Sequence, residues 1–342
     1  MFNSKKMPRP LIYLSLMGVI IGSLLWWLSA PQTLITQQQV NSIKVDINNG
    51  KHLFYIGGCS SCHQLVPALL KDTLSNSPLK ETSLKETPSI DSEEAPIPLA
   101  QLGGGKRFTT PFGTFIAPNI SPDKATGIGN WSDLTFANAL ISGVSPSGEH
   151  YYPAFPYTSY TRMQLQDVLD LKAYLNTLPA INRQNEAHQL SLPFSIRRTL
   201  GLWKRLFFSK EALVKFDNVS PIVKRGQYLV EGPGHCGECH TQRNKLGALN
   251  KQRWLAGAAL ETGNNEAETI EVPNITHDES GLRDWSEGDI INYLETGFTP
   301  EYDVAGEVMA EVIENTSQIS DEDRAAIAAY LLAIPVLLNP EE

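Results

Sequence analysis

Hydrophobic and polar positions divide this chain into three kinds of segment. From Leu11 to Ala30 the residues are uncharged and mostly apolar, about 20 in a row, the length of a helix that crosses a bilayer. Two later segments carry stripes at helical spacing: Val168, Leu171, Leu175 and Leu178, then Ile327, Tyr330, Leu331 and Ile334. Both stripes stop at a proline, Pro179 and Pro335. Ser132 and Ser286 read as N-caps of shorter helices that end at Gly143 and Gly297. Ser320 followed by Asp323 resembles a capping box, with Asp in place of Glu. The third kind is polar. Residues 71–98 are rich in Ser, Thr, Glu, Lys and Pro, and Leu79-Lys80-Glu81-Thr82 recurs as Leu84-Lys85-Glu86-Thr87. This stretch reads as a mobile surface insertion. The pattern predicts a mainly α protein.

The first segment predicts an anchor over residues 1–30, a cytoplasmic tail followed by a transmembrane helix. Lys5, Lys6 and Arg9 precede the apolar run, and Trp26 and Trp27 stand near its far end. A basic flank stays inside and interfacial tryptophans mark the boundary, so the body is expected in the periplasm of a bacterium, held at the inner membrane. The alternative, a signal peptide cut at Ala30, places Leu28 where small-residue cleavage patterns want a small side chain.

The body repeats itself. Gly50-Lys51-His52-Leu53 corresponds to Gly226-Gln227-Tyr228-Leu229, and Ala117-Pro118-Asn119-Ile120-Ser121 to Val272-Pro273-Asn274-Ile275-Thr276. Gly127, Trp131 and Gly143 correspond to Gly281, Trp285 and Gly297, and Ala173-Tyr174-Leu175 to Ala329-Tyr330-Leu331. Two units are therefore expected, over residues 44–181 and 221–337. The linker between them, 182–220, carries Ile196-Arg197-Arg198 and Trp203-Lys204-Arg205-Leu206-Phe207-Phe208. A basic, aromatic segment of this kind lies on a membrane surface or a partner, or packs between the two units.

The 342 residues are 42% hydrophobic and 19% charged, with a net charge of −9. That argues against general disorder and against nucleic-acid binding, leaving proteins or small molecules as partners. The four cysteines stand in two five-residue motifs, Cys59-Ser60-Ser61-Cys62-His63 and Cys236-Gly237-Glu238-Cys239-His240. C-x-x-C-H is the attachment signature of c-type haem: two thiols add to the two vinyl groups, and the next imidazole reaches the iron. A structural zinc site wants its cysteine pairs closer in sequence, and a thioredoxin-like pair needs no histidine. Two covalently bound haem c groups are expected, with His63 and His240 as iron ligands.

The chain resembles the multihaem cytochrome c subunits of membrane-bound periplasmic alcohol, aldehyde and gluconate dehydrogenases. The resemblance rests on Thr110-Pro111-Phe112-Gly113-Thr114, Ala117-Pro118-Asn119-Ile120, Thr126-Gly127-Ile128-Gly129 with Trp131, Tyr152-Pro153-Ala154-Phe155-Pro156-Tyr157, and Tyr228-Leu229-Val230-Glu231-Gly232. It spans nearly all of residues 45–336. Such subunits usually carry three haem domains, and this chain ends after two. The resemblance implies two class I cytochrome c domains in tandem behind the transmembrane helix.

Thioether ligation raises the potential of such haems. Outside the tail and anchor the methionines are Met163 and Met309, one per unit. They are the expected sixth ligands, with His150 as the runner-up for the first haem. By resemblance to class I cytochromes, the carbonyls of Pro118 and Pro273 receive the ring N–H of the ligating histidines. Trp131 and Trp285 either reach haem propionates through the indole N–H or are plain core residues. His52, His188, His235 and His277 take no role at this level. The expected function is electron transfer, from a periplasmic dehydrogenase or quinol towards a terminal oxidase or small soluble cytochrome. The competing reading is a haem enzyme, a diheme peroxidase or thiosulfate-oxidising cytochrome.

Overall fold

The structure, a computed structural model, describes residues 9–66, 100–264 and 266–335. The polar stretch 71–98 and the basic residues Lys5 and Lys6 lie outside the described residues.

Helix α1 (Arg9–Leu28) precedes the first unit, which consists of α2 (Gln37–Asn41), α3 (Ile47–Ile56) and α4 (Cys59–His63), the hairpin β1 (Arg107–Thr110) and β2 (Gly113–Ile116), then α5 (Asp133–Ser142), α6 (Tyr157–Tyr160) and α7 (Leu165–Leu175). Strand β3 (Gln189–Leu190) and helix α8 (Leu200–Phe207) belong to the linker. The second unit runs through α9 (Pro221–Glu231), α10 (Gly237–His240), β4 (Ala258–Asn264), β5 (Glu266–Val272), α11 (Glu287–Thr296), α12 (Glu307–Thr316) and α13 (Asp321–Ala333).

Each unit closes where its first long helix crosses its last. A Cβ on Gly50 of α3 would lie 2.0 Å from the Asp170 carbonyl of α7. A Cβ on Gly226 of α9 would lie 1.8 Å from the Ala326 carbonyl of α13. Glycine at both crossings lets the backbones touch. The two stripes then face inward: Val168, Leu171, Leu175 and Leu178 are buried with Phe54, Phe136 and Leu140, and Ile327, Tyr330, Leu331 and Ile334 with Leu229, Ile290 and Leu294.

The caps follow from side-chain chemistry. Ser132 Oγ accepts from the Thr135 amide and α5 ends at Gly143, φ 59°. Ser286 forms a full capping box with Asp289 and α11 ends at Gly297, φ 80°. Ser320 caps α13 through the Asp323 amide, but the reciprocal half of the expected box is missing. The Asp323 carboxylate turns instead to His52 Nε2 at 2.5 Å and to Arg225 at 2.7 Å, two side-chain partners in place of one amide.

The sheets are small. Strand β1 pairs antiparallel with β2, Arg107 opposite Ile116; β2 pairs with β3, Gly113 opposite Leu190; and β4 pairs with β5, Ala258 opposite Val272. Glu261-Thr262 and Glu268-Thr269 give the second hairpin little apolar alternation, so its sequence does not announce strands.

The linker packs between the two units and the base of α1. Arg198 donates to Ser29 Oγ and the Trp26 carbonyl, and Arg205 to the Leu28 carbonyl. Lys204 Nζ donates to the carbonyls of Ser142 and Gly143 at 2.8 and 2.7 Å and lies 4.4 Å from the Tyr157 ring. Trp203 Nε1 donates to Leu246 O in the second unit. Beyond this base α1 presents apolar side chains to the exterior, Val19, Ile20, Trp26 and Trp27 among them. The side chain of Leu11 is outside the described residues, and among the described residues no helix is long and apolar enough to cross a membrane.

Candidate haem-attachment sites

Each C-x-x-C-H motif folds as one short helical turn, α4 and α10. A turn of helix places residues three apart on one face, so Cys59 and Cys62, and likewise Cys236 and Cys239, present their sulfurs together. Burial, with the neighbouring Cys62, pushes the Cys59 thiol up to about 12, and burial pushes Cys236 to about 12. Burial, with Glu238 beside it, pushes Cys239 to about 11.

The histidine geometry is the same in both units. His63 Nδ1 lies 2.8 Å from the Pro118 carbonyl and His240 Nδ1 lies 2.8 Å from the Pro273 carbonyl. A carbonyl accepts only, so Nδ1 carries the proton and Nε2 keeps a free lone pair, the tautomer a metal ligand requires. Burial lowers both imidazoles below the ordinary histidine range, against the raising effect of the carbonyl, which keeps the rings neutral.

Trp131 packs on the first core, and Trp285 on the second with its ring 5.4 Å from Tyr293. Met309 sits on α12, half-buried against the second core. Met163 is buried in the first core, and its Cγ lies 3.9 Å from where a Cβ on Gly232 would stand. In the register that sets Gly143 on Gly297 and Trp131 on Trp285, Phe155 falls on Met309. Phe155 is ringed by Tyr151, Tyr157 and Tyr160. His150 is buried with Nε2 2.9 Å from the Ser29 carbonyl. The remaining histidines are also engaged: His188 Nδ1 accepts from the Ile116 amide, His235 meets the Gly57 carbonyl and His277 the Arg283 carbonyl.

The two attachment turns reach into each other's unit through the residues between their cysteines. Ser60 and Ser61 bond Asn315, and Ser61 Oγ donates to the Glu311 carbonyl at 3.1 Å, both on the helix that carries Met309. Lys106 Nζ donates to Ser61 O at 3.0 Å and pairs with Glu311 at 2.5 Å. In return Glu238 accepts from Thr158 Oγ1 at 2.7 Å and Ser159 Oγ at 3.0 Å on α6, and pairs with Arg243. Burial pushes the Glu238 carboxyl up, but Arg243 and the hydroxyls outweigh it and hold it below the usual range. The sequence trace of this bracing is that Ser60, Ser61 and Glu238, between the paired cysteines, are polar.

A cytochrome c family model matches residues 223–335, the second unit. The diheme cytochrome c-type protein of Cereibacter sphaeroides is 45% identical over 319 residues, 93% of this chain and 96% of that protein. The fructose dehydrogenase cytochrome subunit of Gluconobacter japonicus is 40% identical over 68% of this chain, which covers 47% of the subunit. The alcohol dehydrogenase (quinone) cytochrome c subunit of Gluconobacter oxydans is 34% identical over 68% of this chain and 50% of the subunit. The chain therefore spans nearly the whole of the first relative and about half of the other two.

Proposed function

The chain belongs to the diheme c-type cytochromes, and from that premise we propose that it draws electrons from a dehydrogenase or from quinol and delivers them to a terminal oxidase or a small soluble cytochrome. It carries two covalently bound haem c groups and is an electron carrier, as its relatives are a diheme cytochrome c-type protein and cytochrome subunits of dehydrogenases. The observation that carries the reading is the pair of matching turns, each with its histidine fixed through Nδ1 at 2.8 Å from a proline carbonyl. When bound, haem c supplies an iron that takes up and releases one electron at a time.

The chain's own residues do the rest. Cys59 with Cys62, and Cys236 with Cys239, fix each macrocycle by thioether bonds. His63 and His240 offer Nε2, with Pro118 and Pro273 holding the tautomer. Met309 and Met163 would offer the thioether ligands, and the indole N–H groups of Trp131 and Trp285 would hold propionates. The braces between the turns keep the two centres at a fixed separation.

Attachment to a membrane is part of the proposal. Helix α1 is 20 residues long, about 30 Å at 1.5 Å per residue, and apolar side chains stand exposed around it. A helix that is apolar all round is stable only when covered. Lipid supplies that cover. The haem units then face the periplasm.

Purification from detergent-solubilised membranes tests the assignment. A flavin- or quinoprotein dehydrogenase is expected to copurify in stoichiometric amount, and the pyridine haemochrome to give two haems per chain. Recovery in the soluble fraction without detergent refutes the anchor; one haem per chain refutes the diheme site.

A further inference from the structure

Both units build the same hairpin just before their sixth-ligand segment. In the first, Val144 bridges His150, the Ser145 amide donates to Glu149 O at 2.8 Å, and the Tyr151 amide to Gly143 O at 2.9 Å. In the second, Phe298 bridges Val304, the Thr299 amide donates to Asp303 O at 2.9 Å, and the Ala305 amide to Gly297 O at 2.8 Å. Gly148 at the first tip has φ 76°, and Tyr302 stands at the matching place with φ 64°.

The surroundings of the two hairpins differ. Val144 and His150 are 5% and 3% exposed. They are covered by protein: His150 Nε2 meets the Ser29 carbonyl, Arg197 donates to His150 O, and Lys204 to Gly143 O. In the second unit Phe298 is 47% exposed, Val304 62% and Tyr302 87%. An L-residue with a large ring at positive φ carries strain that an exposed position does not repay from the fold itself. The tip also bears Glu301 and Asp303, neither of which forms an ion pair among the described residues, and no Lys or Arg occurs from Gly297 to Met309.

We propose that the Phe298–Val304 hairpin is a docking surface for a soluble redox protein that offers an apolar recess rimmed by lysines or arginines. In the first unit the equivalent face is closed by the linker and the foot of α1; in the second it is left for a partner in trans. Tyr302 is the central anchor, Phe298 and Val304 flank it, and Glu301 with Asp303 steer a basic rim towards it. The hairpin leads directly into the helix bearing Met309, so a partner seated there lies beside the residue that would ligate the second haem. The inference rests on the electron-carrier reading above.

The test uses the full haem-loaded chain in detergent, reduced and mixed by stopped flow with a small lysine-rich cytochrome c, with an acidic cytochrome of similar size, and with ferricyanide. The basic probe is expected to be reduced faster than the acidic one at low salt. Glu301→Lys with Asp303→Lys is expected to lower that rate at least tenfold and to abolish its salt dependence. Tyr302→Gly, which suits the positive φ, should lower it severalfold at unchanged haem content. Equal rates for the variants and the parent, or a basic probe no faster than the acidic one, overturn the docking surface. A dimer of the parent that Tyr302→Gly dissolves overturns the choice of partner, the occupant then being a second copy. Oxidation by ferricyanide needs no docked protein, so its failure strikes the electron-carrier reading instead.

Discussion

His235 Nε2 lies 3.2 Å from the carbonyl oxygen of Gly57. The first residue directly precedes the second attachment turn, and the second stands two residues before the first. His235 sits at φ 39°, and its ring also packs edge-on against Tyr160 at 5.6 Å. Together with the braces at Ser61–Asn315 and Glu238–Thr158, this contact joins the two haem-bearing turns.

His235→Asn tests that joint. Asparagine accepts left-handed backbone but is too short to reach Gly57. The loss of one half-buried hydrogen bond is expected to cost about 1–2 kcal/mol. Calorimetry should show the melting temperature falling, and a redox titration should show the two centres influencing each other less. Unchanged values in both would mean the contact carries nothing.

Asp323 gives the interface an acid limit. Burial pushes its carboxyl up, but the hydrogen bonds from His52 and Arg225 outweigh it and bring it down to about 2. A carboxyl depressed on folding stabilises above its unfolded value near 4, and that contribution is lost as pH falls from there towards 2. The gain at neutral pH is of the order of 2 kcal/mol. Asp323→Asn should be less stable than the parent at pH 7 by about that amount, and the difference should shrink as both are taken below pH 3. A gap that stays constant with pH would assign the loss to packing alone.

Gly226 sits where α9 meets α13, and Gly226→Ala drives a methyl into the Ala326 carbonyl. Backbone cannot yield as a side-chain tip can, so a cost of about 3 kcal/mol is expected, seen as a lowered denaturation midpoint and incomplete haem loading of the second unit. Gly18 on α1, where an added methyl would meet nothing within 4 Å, is the control, and Gly18→Ala should leave both readings unchanged.

The two motifs and the two stripes were legible in the sequence because each obeys a fixed spacing imposed by covalent attachment or by helix period; Gly50 and Gly226 showed only as a repeat, and the structure adds that both are helix crossings. The links between the units were not. Ser61, Asn315 and Glu311 meet across long stretches of chain, and nothing periodic marks them. The β4–β5 hairpin was not read because its alternation is confined to short pieces such as Ile270-Glu271-Val272, interrupted by Glu268-Thr269. The linker could be narrowed to two placements from its basic aromatic composition. Lys204, held by two carbonyls and a tyrosine ring of the first unit, Trp203, which donates to Leu246 O of the second, and Arg205, which donates to the Leu28 carbonyl, show that it packs between the units at the foot of α1.

The first haem's sixth ligand is the sharpest test of the site. Register sets Phe155 where the second unit has Met309, and phenylalanine has no lone pair for iron. Met163 is the thioether that remains in the first unit apart from the anchor, and it is buried in the core beside Tyr160 and Phe155. If Met309 and Met163 both ligate, oxidised protein should show the far-red sulfur-to-iron band at the intensity of two centres, with both potentials raised. Met309→Ala should halve that band, and Met163→Ala should remove the other half and lower the potential of the first centre. A first centre that is high-spin in the parent, and indifferent to Met163→Ala, would instead leave its iron open to a small ligand. That outcome would favour the haem-enzyme reading, because peroxide chemistry needs a vacant sixth position. Phe155→Met then separates the two cases. In a site already closed by Met163 it should leave the band almost unchanged. In an open site it should create the missing half of the band and convert the first haem to low spin.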